Sequence, residues 1–198
     1  MPGNNLTETC VVSSPPGVFG KWVISLSIIG VIFMVAFFIE RPVAEGAELQ
    51  ELLDERTTVV WIEGQQLGDM IIGSRAQVAF IFVDGKLMRA AGTSPEAPQW
   101  LTWNVQHFSE ANDRGKALFI IRFKTFKPWD FDISLFLIGE YVPKEEDVIT
   151  RKAFRPRNNI PSDTSGTFAL MVPREIIGRG KKLEVGCSGF SAVLKVPR

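Results

Sequence analysis

From residue 22 to residue 39 the chain runs WVISLSIIGVIFMVAFFI, eighteen positions without a charge. At about 1.5 Å of rise per residue this segment makes a helix roughly 27 Å long, close to the ~30 Å hydrocarbon core of a bilayer. Lys21 borders one end and Glu40-Arg41-Pro42 the other, and the proline pushes Arg41 out of helical geometry. Trp22 and Phe37-Phe38 suit the aromatic belts at the two interfaces. A helix in a soluble core would carry a polar stripe, and a signal peptide would have a shorter apolar region, although residues 43–47 (VAEGA) imitate a cleavage site. The pattern predicts a polar tail over 1–21 and a retained transmembrane helix over 22–40. Lys21 abuts the span, which favours a cytoplasmic N-terminus and a periplasmic or external C-terminal domain.

Beyond the span the period changes twice. Residues 41–56 read as a short amphipathic linker helix, with Leu49, Leu52 and Leu53 on one side. From residue 57 the alternation is that of strands. Candidates are 57–62, 67–72, 77–83, 101–108, 116–123, 167–172, 182–185 and 190–196. Asp84-Gly85 between 77–83 and 86–89 reads as a hairpin turn. Residues 131–142 read as one long strand, with Phe131, Ile133, Leu135 and Leu137 opposite Asp132, Ser134, Phe136 and Ile138. Eight or nine short strands with turns between them predict a mainly β fold: one antiparallel, β-sandwich-like domain over 57–198.

Charge adds a contrast within that domain. The whole chain balances 22 basic against 22 acidic side chains, which argues against a nucleic-acid partner. Residues 41–147 nevertheless carry 11 basic and 17 acidic residues, while 151–198 carry 10 and 3. Much of the basic excess lies in 151–157, with Arg155 and Arg157, and in 178–182. These are solvated loops or a basic surface for anionic lipid heads or an acidic partner. Cys10 and Cys187 fall on opposite sides of the predicted span and so cannot pair with each other.

Candidate chemistry is sparse. The glycines around Arg179 lack a phosphate-loop frame, and His107 is the single histidine. The acidic pairs Asp130/Asp132 and Glu145-Glu146-Asp147 match no defined calcium loop, and the serines lack a nucleophile elbow. We therefore expect no cofactor, no metal and no enzymatic activity. Fifteen Phe and five Trp against one Tyr give an aromatic set with few polar handles, to be placed in core, lipid or a partner. Trp100, Trp103, Phe126 and Trp129 are candidate contacts, the last two within FKPWDF (126–131), whose proline and charges make a poor core strand. Ser27 and Gly30 offer one narrow face of the span for helix packing. The architecture suggests a non-catalytic accessory subunit of a respiratory, photosynthetic or secretory membrane complex, with other membrane-protein subunits and the bilayer as partners. The alternative is an anchored module that binds a glycan, peptide or envelope polymer.

Overall fold

The computed structural model describes residues 43–152, 155–156, 158–178 and 180–197. The predicted tail and membrane helix, with Ser27 and Gly30, lie outside the described residues. Among the described residues no helix is long and apolar enough to cross a membrane. In chain order the elements are α1 (Val43–Arg56), β1 (Thr57–Ile62), β2 (Gln65–Leu67), β3 (Met70–Ile72), β4 (Ala76–Val83), α2 (Gly85–Thr93), α3 (Gln99–Val105), α4 (Phe108–Asp113), β5 (Lys116–Thr125), β6 (Phe136–Ile138), β7 (Ser165–Pro173), β8 (Lys182–Cys187) and β9 (Phe190–Lys195).

The fold is mainly β, and every named strand pair is antiparallel. A four-stranded sheet in the order β1-β4-β5-β7 stands at the centre, with a three-stranded sheet β6-β8-β9 and the hairpin β2-β3. Alternation along the central strands sends successive side chains to opposite layers. On one face Val78, Phe80, Phe119, Ile121, Phe168 and Leu170 meet Val185 and Leu194 of the three-stranded sheet. On the other Ile81, Val83, Leu118, Ile120 and Met171 meet Leu49, Leu53, Leu87, Leu101 and Val105 of the helices. Thr58 Oγ1 donates to the Val193 carbonyl at 3.3 Å, where β1 approaches β9. The sandwich-like packing is thus one of two cores, and a helical layer closes the second.

Four expectations from the alternation are corrected. Asp84 turns no hairpin: its extended backbone and its carboxylate, which accepts from the Lys86 and Leu87 amides, cap the N-terminus of α2. Residues 99–105 are helical, because Leu101 and Val105, four apart, both point into the core. Residues 67–72 are no single strand, since Gly68-Asp69 divides β2 from β3. Gly68 has φ 62°, as the first central residue of a type II′ turn requires. The stretch 131–142 is broken by a 3-10 turn at Ile133–Leu135. That turn shifts the phase by one residue, so Phe131, Ile133, Phe136 and Ile138 are buried while Leu135 is exposed. The Phe-rich composition resolves here: Phe123, Trp129, Phe131, Phe136 and Phe168 pack with ring centroids 5.4 to 6.5 Å apart.

Candidate functional site

The hairpin β2-β3 is the least buried part of the fold, with all six of its strand residues exposed. Register places Gln65, Leu67, Met70 and Ile72 on one side and Gln66 and Ile71 on the other. Leu67, Met70 and Ile72 are 60%, 62% and 44% exposed, an unusual density of uncovered apolar side chains. The base is firmly held. Phe126 and Lys127 amides donate to the Arg75 carbonyl at 2.8 and 3.1 Å, and the Arg75 amide donates to the Ile62 carbonyl at 2.8 Å. Arg75 also donates to Glu63 (2.8 Å) and to the Pro128 carbonyl (2.7 Å), and Lys127 Nζ donates to the Gly73 carbonyl (2.8 Å). Phe126 stacks on Trp61, with centroids 6.2 Å apart and planes within 13°. Gly64 permits this tight base, since a Cβ there would come within 2.7 Å of Ile71 and 2.9 Å of Trp61.

Next to the hairpin, the helical layer stops short of the end of the central sheet. Two rows of side chains cross the four strands there: Val59, Ala79, Arg122 and Thr167, then Trp61, Gln77, Lys124 and Ser165. None of the eight is buried. Arg122 lies over the Trp100 ring at 4.1 Å, and Lys124 Nζ is 5.6 Å from the Phe126 centroid. Neither Arg122 nor Lys124 makes an ion pair among the described residues. Where the open rows meet the helices there is a cleft of about 400 Å³, lined by Gln50, Asp54, Glu96, Trp100 and Arg122 among others.

The sequence candidates separate accordingly. Trp100 and Phe126 border the open rows, and Trp103 on α3 is 60% exposed. Trp129 is corrected from contact to core: it is 3% exposed and packs edge-on against Phe123 and Phe131. Arg155 is half-buried and braces its own loop, donating to the carbonyls of Thr150 (2.7 Å) and Val148 and to Glu145. Arg157 lies outside the described residues. Leu67, Met70 and Ile72 carry no signal in the sequence that separates them from core residues. Their one cue is the Gly68-Asp69 turn, which makes the apolar run too short to cross a sheet.

The buried ionisable groups are structural. Asp147 accepts the Tyr141 hydroxyl (2.6 Å), the Lys116 ammonium (3.0 Å) and the Lys144 amide (3.0 Å). Burial alone would raise its pKa, but these three donors together hold the carboxyl below its ordinary range. The shared hydrogen bond, with burial and the negative charge, pushes the Tyr141 hydroxyl up to about 12. Arg56, whose side chain is 2% exposed, pairs with Asp84 and Glu55, both at 2.9 Å. Burial pushes the Cys187 thiol up to about 12. Among the described residues no group of three or more His, Cys, Asp or Glu side chains is arranged to hold a metal ion. The open end of the sheet thus gathers two cations, stacked aromatic rings and an apolar arm on one surface. Compared with protein-family models, curated proteins and solved structures, the chain matches none.

Proposed function

We propose that the chain is a membrane-anchored, non-catalytic accessory subunit of a larger membrane complex. Its apolar segment over 22–40 spans the bilayer, with the N-terminus cytoplasmic, and its β-domain docks on a neighbouring subunit outside. The observation that carries this reading is the uncovered end of the central sheet. Elsewhere both faces of that sheet are sealed. Here Arg122 and Lys124 stand two residues apart on one face of β5, roughly 7 Å along the strand, between aromatic rings. An acidic surface on the partner complements them, and Trp100, with Trp103 beside it on α3, supplies aromatic anchors. Full-length protein drawn from its native membrane in mild detergent should bring its partner subunits in fixed stoichiometry. Arg122→Glu with Lys124→Glu should release them while leaving the unfolding midpoint in place. A monodisperse monomer from the native membrane, with no companion protein, would overturn the reading.

A further inference from the structure

We infer that the β2-β3 hairpin, with the 126–128 loop clamped to its base, is a second membrane contact, seated at the boundary between lipid headgroups and acyl chains. The inference rests on the membrane-anchored reading above, and it names lipid rather than protein as what covers the arm.

Three observations support lipid. First, chemistry is layered along the arm in the order a bilayer presents it. Leu67, Met70 and Ile72 lie outermost, Trp61 and Phe126 stack at the base, and Lys127 stands beside them. This is the sequence of acyl chain, aromatic belt and phosphate-facing ammonium found at membrane interfaces. Second, the area is small. Four partly exposed apolar side chains on an eight-residue arm (65–72) fall short of the roughly 800 Å² per partner of a stable protein interface. Shallow insertion needs only such a patch when a covalent anchor already holds the domain at the surface, because the second contact is then intramolecular. Third, the arm is rigid at its root: four backbone or side-chain bonds to Gly73 and Arg75 fix it to the 126–128 loop. Little ordering entropy remains to be lost on insertion.

The test uses the full chain, with Cys10→Ser, reconstituted in vesicles of mixed phosphatidylcholine and phosphatidylglycerol. Met70→Cys receives an environment-sensitive dye; Asp113→Cys, beyond the opposite end of β5, serves as control, and Cys187 is buried away from label. The expected result is a blue shift at position 70, loss of iodide quenching there, and quenching by nitroxide-bearing lipid, with none of these at 113. Adding Leu67→Asp and Ile72→Asp should reverse all three. A label at 70 as open to iodide as that at 113 overturns the inference. So does a label shielded from iodide yet untouched by lipid-borne nitroxide, which would mean that protein covers the arm. Carbonate extraction separates the two readings. Protein released by carbonate defeats the anchor and the hairpin contact together, whereas carbonate-resistant protein with an iodide-accessible label defeats the hairpin contact alone.

Discussion

Asp84 carries two loads. Its Oδ1 accepts the Lys86 and Leu87 amides at the start of α2, and its Oδ2 accepts Arg56 Nη2 at 2.9 Å. Arg56 is buried, and its Nε has no hydrogen-bond partner among the described residues. Asp84→Ala removes the cap and one of the two counter-ions of Arg56, leaving Glu55. The cap is worth about 1 kcal/mol, and losing one charged hydrogen bond to a buried guanidinium costs roughly 1.5 to 3 kcal/mol more. Urea denaturation should therefore register a loss near the sum, with Asp84→Asn losing less because the amide oxygen still caps. The pH dependence follows from the same contacts. Burial alone would raise the Asp84 carboxyl, but the Arg56 guanidinium and the two amides outweigh it and hold it below its ordinary value of 3.8. A depressed folded-state pKa contributes stability that is fully present above the unfolded value and is lost as the pH falls through the lower folded one. Wild-type protein should thus lose stability more steeply than Asp84→Asn below about pH 4. Equal acid slopes would place the coupling elsewhere.

At the scale of elements, the hairpin and the core make opposite predictions. The strands of β2-β3 add no residue to either core cluster. Leu67→Asp with Met70→Asp should change the stability of detergent-solubilised protein by no more than about 0.5 kcal/mol per site, as surface changes do. Phe136, 1% exposed among Phe80, Trp129, Phe131 and Phe168, should cost about 3 to 5 kcal/mol as Phe136→Ala. Thermal unfolding of the two variants side by side checks both. A large loss from the hairpin pair would make the arm part of the fold instead of a surface it presents. Element β7 shows the same packing limit from the other side. A Cβ at Gly166 would overlap the Phe123 ring, which Trp129 and Phe131 hold in place.

For the whole molecule, the two cores draw, among the described residues, on positions from 49 onward. Contacts also divide the chain at Arg41, with residues from Pro42 forming their own unit. A fragment of residues 43–198 should consequently fold by itself and unfold in one cooperative step, with a near-ultraviolet dichroism signal from the Trp129–Phe cluster. Native-like secondary structure without that signal would mean that the preceding residues help to order the core. On the proposed reading the fragment also separates the open end of the sheet from the expected anchor, so its capture by a partner would depend on Arg122, Lys124 and the aromatic side chains Trp100 and Trp103.

Some of this was decided by local sequence. Strands β1, β4, β5, β7, β8 and β9 were legible in the pattern, β1 and β4 because burial alternates along them, β5 and β7 because between two layers they are near-continuous apolar runs. Phe126 stands among a proline and charges in FKPWDF, and Trp100 and Trp103, three apart, follow the proline-rich segment 93–99, which is why the pattern offers them as candidate contacts. Other features were settled only by tertiary contact. Residues 85–93 and 99–105 hold short apolar patterns compatible with either period, and packing of Leu87, Ala91, Leu101 and Val105 on the sheet selects the helix. The phase shift at Ile133–Leu135 exchanges Leu135 for Phe136 in the core, which no alternation within the segment foretells. Trp129 and Phe126 lie three residues apart in one motif, yet one is buried and the other exposed. Hydrophobicity states what a side chain gains from leaving water; only the fold determines whether the neighbour that excludes the water belongs to the same domain.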